Sequence, residues 1–272
     1  MKKLIILFTF LLTFTLHAQD LSVMTYNIRL DWGTDENRWD NRKELMVNQL
    51  KFYEPDFLGI QEGLPHQVKF LDSALADYNY IGVGREDGKA KGEFSAICYK
   101  KQFKLLEGST FWLSPTPEKP SVGWDAALPR ICTYGLFEGN GKQFWVFNTH
   151  FDHKGENARV ESMKLILSKI KELNKKGLPV ILMGDLNVTP DEQPIQEMKK
   201  VLKDSREIAD KVHGPDATFN GFEFDETPEN RIDYIAVDDQ VKVMKYAVLT
   251  DSFEQRYISD HFAVFCVVRL SN

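Results

Sequence analysis

Eleven short apolar runs of β-type composition are spread along this chain. They are Leu21–Arg29, Phe57–Gln61, Tyr78–Val83, Phe94–Lys100, Lys104–Leu113, Ile131–Phe137, Phe144–Asn148, Pro179–Met183, Arg231–Val237, Lys242–Leu249 and Phe262–Arg269. Branched and aromatic side chains dominate them, and such side chains fit a pleated, half-buried surface. Two intervening stretches carry a helical period instead. Val160, Met163, Ile166, Leu167 and Ile170 form one apolar stripe, and Met46, Val47, Leu50 and Tyr53 form another. Both stripes read as core. Many strands with few helices, mixed rather than strictly alternating, predict a two-sheet sandwich flanked by helices, with a doubly wound sheet as the alternative. Ser114–Pro129, which holds four of the eleven prolines, and His213–Asn230 are long connections of the kind that often form sites.

The chain opens with Lys2 and Lys3, an apolar segment Leu4–Leu16, and then His17-Ala18-Gln19. A basic start, a short apolar stretch and a small residue at a plausible cleavage point read as a secretory signal peptide over residues 1–18. The segment is shorter than the roughly 20 residues that span a bilayer. The expectation is therefore an exported chain, periplasmic or secreted, with a single domain over 19–272 and no membrane insertion after cleavage. Removing two lysines and no acid moves the formal net charge from −6 to −8. That balance argues against a broad basic surface for coating nucleic acid. With 43% hydrophobic and 27% charged residues, disorder and fibrous classes are excluded. Cys98, Cys132 and Cys266 sit among apolar neighbours and read as buried thiols, although one disulfide is open in an oxidising compartment.

The informative pattern is where the polar residues fall. Asn27, Glu62, His150, Asp185 with Asn187, Asp233, and Asp260 with His261 each stand at the end of an apolar run. A strand terminus fixes a side chain on a rigid scaffold, which a reaction centre needs. Glu62, Asp185, Asp260 and the amide oxygens of Asn27 and Asn187 make an all-oxygen set suited to a hard cation such as Mg²⁺. His150 and His261 remain for proton transfer or phosphate contact.

Met24-Thr25-Tyr26-Asn27, Gln61-Glu62, Asn148-Thr149-His150, Gly184-Asp185-Leu186-Asn187, Ile232-Asp233-Tyr234 and Ser259-Asp260-His261 occur in that order. Together they resemble the endonuclease/exonuclease/phosphatase superfamily over residues 21–269. The resemblance implies a four-layered αββα sandwich, with two mixed, mostly antiparallel sheets packed face to face and helices outside. It also implies metal coordination by Glu62 with Asn27 and Asp260, using Mg²⁺ or Mn²⁺. Asp185 would orient or deprotonate the attacking water, Asn187 would hold a phosphate oxygen, and His261 would pair with Asp233 and help activate the water, with a phosphate clamp as its alternative role. His150 would bind phosphate or protonate the leaving oxygen. Glu93 falls where deoxyribonuclease-like members place a glutamate supporting this second histidine.

The implied chemistry is hydrolysis of a phosphodiester or phosphomonoester by in-line attack of water. The substrate would be a phosphorylated small molecule or a nucleic acid, with no obligate protein partner. A nuclease is the first alternative, and a non-catalytic binding module that keeps the fold is the second. Arg130, closing the proline-rich loop, is a candidate phosphate contact because guanidinium matches phosphate geometry. Trp32 and Trp39 are candidates for a stacking wall or for core. Phe111-Trp112-Leu113 is a poor match for a membrane-inserting hairpin. Arg159 could pair with Glu156 or reach phosphate, and His66 and His213 read as surface residues.

Overall fold

A computed structural model describes residues 20–33, 36–139 and 141–271. The signal segment expected over 1–18 lies outside them. In chain order the elements are β1 (Asp20–Asn27), α1 (Trp39–Tyr53), β2 (Phe57–Gln61), α2 (Pro65–Ala74), β3 (Tyr78–Ile81), β4 (Ile97–Lys100) and β5 (Lys104–Trp112). There follow β6 (Ile131–Gly139), β7 (Lys142–His150), α3 (Glu156–Leu173), β8 (Val180–Asp185), α4 (Gln193–Met198), β9 (Lys203–Asp204) and α5 (Ser205–Ile208). The last are β10 (Val212–His213), β11 (Asp233–Val237), β12 (Val241–Leu249), β13 (Ser252–Phe253), β14 (Arg256–Tyr257) and β15 (Ala263–Leu270).

Two large sheets carry the fold, in strand orders β10-β12-β15-β1-β2-β4-β3 and β5-β6-β7-β8-β11-β9. Their central pairs β1–β2 and β7–β8 are parallel, and most other neighbours are antiparallel. A single doubly wound sheet is thereby excluded. The inner faces share a cluster that includes Val23, Phe57, Phe137, Phe144, Met183 and Ile235. Phe57 is its hub, with ring centroids 4.8 Å from Phe103, 4.9 Å from Phe137 and 5.3 Å from Phe144. Such aromatic pairs contribute roughly 0.5–1.5 kcal/mol each beyond burial.

The outer face of the first sheet is covered by α1 and α2, where Met46, Leu50, Val68 and Leu71 meet Met24, Tyr26 and Ile60. Met163, Ile166 and Ile170 of α3 and Ile195 of α4 cover the second sheet at Phe147 and Leu182. This is the four-layered sandwich. Trp39 is buried in the α1 layer, so of the two tryptophans only Trp32 remains available to a site. Cys98, Cys132 and Cys266 are buried free thiols. Among the described residues no helix is long and apolar enough to cross a membrane.

Period-two alternation aims the polar strand ends. On β1 the inter-sheet positions are Leu21 and Val23, on β7 Phe144 and Val146, on β8 Ile181 and Met183, and on β11 Ile235 and Val237. Continuing each series by two residues at a time reaches Asn27, His150, Asp185 and Asp233. The hydrophobic pattern that packs the sheets thus points four functional side chains into the seam between them. Register brings them to one edge, since His150 and Asp233 both pair with Asp185. Below them a polar bridge joins the sheets. Asn148 donates to the carbonyls of Ile60 (2.9 Å) and Ala96 (2.8 Å), and accepts from Gln61 at 2.7 Å. Gly59 allows this approach, because a Cβ there would fall 2.6 Å from Asn148 Oδ1.

Candidate active site

Glu62 breaks the alternation to reach the seam. It follows Gln61, so a continued strand would turn it outward beneath α2. Its backbone is instead left-handed, with φ 62°, and its carboxylate accepts from Asn27 Nδ2 at 3.2 Å and from the Leu30 N–H at 2.9 Å. Asn27 Nδ2 also donates to Asp185 Oδ2 at 3.0 Å, which sets the two carboxylates side by side. The Asn27 oxygen accepts from the Arg29 N–H at 3.0 Å. Asn27 therefore offers its nitrogen to the carboxylates, and its oxygen would face a cation only after the amide rotates. Asp260, arriving before β15, takes Arg29 Nη1 at 2.8 Å. Buried Arg42 fixes the surrounding loops by donating to the carbonyls of Ile28 (3.0 Å), Arg29 (3.1 Å) and Ile258 (2.8 Å). Neither Arg29 nor Arg42 stands out in the sequence, because their partners lie on distant segments.

Asp185 occupies the centre. Oδ1 accepts from the Asn187 N–H at 2.9 Å, and Oδ2 lies 3.4 Å from His150 Nε2 and 3.9 Å from His261 Nε2. Gly184 precedes it within β8, with φ 153° and no room for a Cβ against the Thr149 carbonyl. Burial pushes the Asp185 carboxyl up from the usual range, and the nearby charge of Asp233 pushes it further. A carboxylate of raised basicity is a better proton acceptor for water.

His261 Nδ1 and Asp233 Oδ2 are 2.8 Å apart, as the resemblance implied. Burial disfavours the imidazolium, but Asp233, Asp185 and Asp260 outweigh it and hold His261 well above its ordinary value. Phe219 packs edge-on against the ring at 5.1 Å. His150 is shifted the other way, well below its ordinary value, by burial and then by Arg130 and Arg85.

On the His150 side two expected residues have further partners that the sequence does not reveal. Glu93 Oε2 lies 4.0 Å from His150 Nδ1, and both Glu93 oxygens also meet Arg85, at 2.6 and 2.7 Å. Arg130, expected to contact phosphate, lines the cleft, and its buried guanidinium meets His150 (3.2 Å), His153 (3.0 Å) and Asp152 (3.3 Å). Buried charges are retained where they are paired, and here protein groups supply the partners before any ligand arrives. Arg85 was missed altogether; Trp112 holds it from behind through Nε1 to the Arg85 carbonyl at 2.7 Å. Arg159 reaches Glu192 at 3.8 Å rather than Glu156.

These residues surround a cleft of about 450 Å³. Glu62, His150, Asp185, Asn187, Asp260 and His261 line it, while Asn27 and Asp233 stand behind that surface. Leu30, Trp32, Leu128 and Phe219 form its apolar rim, with Trp32 70% exposed. Glu62, Asp185 and Asp260 all line this cleft and no thiol does, and carboxylate oxygens are the ligand type that a hard divalent cation takes. Among the described residues, one ligand atom each from Asp185, Asp233 and His261 falls within 4.8 Å of the others. The mutual hydrogen bond of Asp233 and His261 already occupies two of those atoms, and the remaining cleft carboxylates, Glu62 and Asp260, are held by Asn27, the Leu30 N–H and Arg29.

The sequence matches the Endonuclease/Exonuclease/phosphatase family over residues 24–261. The chain belongs to this family. Members of the endonuclease/exonuclease/phosphatase family are hydrolases of phosphoester bonds that generally use a divalent metal. A family protein from Bacteroides thetaiotaomicron superposes with a TM-score of 0.90 at 42% identity, over 93% of this chain and 96% of its own. A mannosyl-6-phosphatase from the same organism gives a TM-score of 0.88 at 43% identity, over 91% and 99%. Among curated family relatives, a probable RNA exonuclease from Saccharomyces cerevisiae is 27% identical over 213 residues, 68% of this chain and 41% of that protein. The chain spans 59% and 41% of the first two curated relatives it matches.

Proposed function

We propose that this protein is a Mg²⁺- or Mn²⁺-dependent phosphomonoesterase that releases phosphate from a phosphorylated sugar. The observation that carries the reading is the position of Asp185. It is a buried carboxylate of raised basicity between the Asn27–Glu62 corner and two histidines, in a cleft sized for a small molecule. The likeness to a mannosyl-6-phosphatase over nearly the whole chain favours a sugar phosphate. The exposed Trp32 face offers an apolar wall for a sugar ring, and an acidic chain of net charge −6 suits a small ester better than a polyanion.

Glu62 and Asp260 would hold the cation, which would supply charge neutralisation to the phosphate and the leaving oxygen. Asp185 orients the attacking water and takes its proton. His261, kept charged by Asp233, holds a phosphate oxygen rather than acting as the base. Asn187 donates to another oxygen as the phosphorus becomes five-coordinate. The proposal includes export to the periplasm or the medium, resting on the basic start and the Leu4–Leu16 segment. It also takes the chain to act there without membrane insertion or an obligate partner.

The test is hydrolysis with Mg²⁺ or Mn²⁺ of mannose 6-phosphate, other sugar monophosphates, bis-p-nitrophenyl phosphate, plasmid DNA, RNA and sphingomyelin. Sugar monophosphates should give the highest kcat/KM, and Asp185→Ala should abolish it. Preference for DNA or RNA would replace this reading with a nuclease. Absence of turnover on every substrate would leave a binding module.

A further inference from the structure

Both ring nitrogens of His150 face N–H donors. Arg130 Nη1 stands 3.2 Å from Nδ1, and Asn187 Nδ2 stands 3.1 Å from Nε2. A neutral imidazole accepts at only one nitrogen, so one of these contacts cannot be a hydrogen bond. The surroundings decide which. Guanidinium has five donors, no acceptor, and keeps its charge in a protein, so Nδ1 facing Arg130 must be the bare nitrogen. Nε2 has a carboxylate oxygen to receive its proton, Asp185 Oδ2 at 3.4 Å. Nδ1 has no comparable acceptor, because Glu93 Oε2 is 4.0 Å away and both Glu93 oxygens are clamped by Arg85. Asn187 meanwhile donates to the Phe151 carbonyl at 3.1 Å, and its amide needs no acceptor from His150.

We propose that Arg130 is a positioning residue that locks His150 in the neutral Nε2–H tautomer, with that N–H aimed into the cleft as a hydrogen-bond donor to the substrate. The device is built from behind. Asp152 takes Arg130 Nε at 3.3 Å and accepts from the N–H groups of Ala127 (3.1 Å), Leu128 (3.3 Å), Lys154 (3.0 Å) and Gly155 (2.8 Å). His153 Nδ1 takes Nη2 at 3.0 Å. The proline-rich loop thereby fixes Asp152, Asp152 and His153 fix the guanidinium, and the guanidinium fixes the imidazole. Charge on His150 is disfavoured by the same arginine, so the ring steadies a phosphoryl or leaving oxygen by donation and does not deliver a proton from an imidazolium. The nature of the acceptor rests on the phosphomonoesterase reading; the tautomer does not.

The experiment is NMR of the full chain with histidine ¹⁵N-labelled in the ring, the His150 signals being assigned by their loss in His150→Gln. At neutral pH the wild type should show a protonated Nε2 and a bare Nδ1. Arg130→Met should shift His150 towards the Nδ1–H form and lower kcat by about 10–100-fold, with KM moving less, the scale of a lost hydrogen-bonding or proton-transfer group. Arg130→Lys, which can only donate, should restore the Nε2–H form. A wild-type His150 that carries its proton on Nδ1, or is an imidazolium, overturns the proposal. So does an Arg130→Met protein with an unchanged tautomer. Should Arg130→Met fail to fold, the wild-type tautomer alone decides. A wild type without phosphoesterase activity but with the Nε2–H tautomer would sink the functional reading and leave this one standing.

Discussion

His261 and His150 are the same side chain, both buried, both within 4 Å of the same Asp185 oxygen, and shifted in opposite directions. Burial lowers the basicity of each. At His261 an aspartate at 2.8 Å reverses the effect, whereas at His150 an arginine at 3.2 Å reinforces it. The lesson is that desolvation fixes how much a neighbour matters, and the sign of the neighbour then fixes the role. One wall of the cleft then favours an imidazolium. The other stays neutral and directional.

The largest effect that would break this contrast comes from Arg85→Met. Glu93 would be left as a buried carboxylate without its partner, at a cost of about 3–5 kcal/mol read as a lower denaturant midpoint. The remaining protein should show a more basic His150, and an unaltered ring titration would mean that the arginines do not set its state. Asp233→Asn attacks the opposite wall. We expect kcat/KM to fall about 100-fold or more, the scale of a lost electrostatic contact to the developing charge. A histidine raised above its unfolded value contributes stability that is complete below about pH 6.5 and is lost as pH rises through its folded value. Chelator-treated wild type should therefore lose stability on the alkaline side, and Asp233→Asn should flatten that slope. The smallest expected effect is that of Asp152→Asn, about 1–3 kcal/mol from weakened hydrogen bonds. Burial opposes the Asp152 charge, but N–H donors from Gly155, Ala127 and Lys154, then Arg130, hold its carboxyl well below the usual range. The difference from wild type should be present above the ordinary aspartate value and vanish as pH falls through the depressed one. A constant difference across that range would remove Asp152 from the support of the His150 wall.

The strand-end motifs were legible because alternation is a local property. Once Phe144 and Val146 are core, His150 faces the same seam, and Asp185 and Asp233 follow by the same count. The eleven long strands were visible for that reason as well. The two-residue strands β9, β10, β13 and β14 were not, since alternation needs more residues than they have. Helix α2 escaped because its buried face is little more than Val68 and Leu71, and its start depends on Pro65 and on the Gln67 side chain reaching back to the Leu64 N–H at 3.1 Å. Pairings among the buried charges had no sequence signal at all. Arg29 meets Asp260 across 231 positions, and Glu93 chose Arg85 over His150 through loop geometry that carries no period. Motif analogy located the glutamate beside His150 but gave no sign of the closer arginine.

The Asn148 bridge has a consequence for how such a fold changes. By riveting one sheet to the main chain of the other just beneath the seam, it forbids the halves to slide, so the chemistry is cast in a fixed mould. Trp32, Leu128 and Phe219, by contrast, hang from three separate connections above it. Descendants can trade those fingertips one at a time and acquire a new leaving group while the palm stays still.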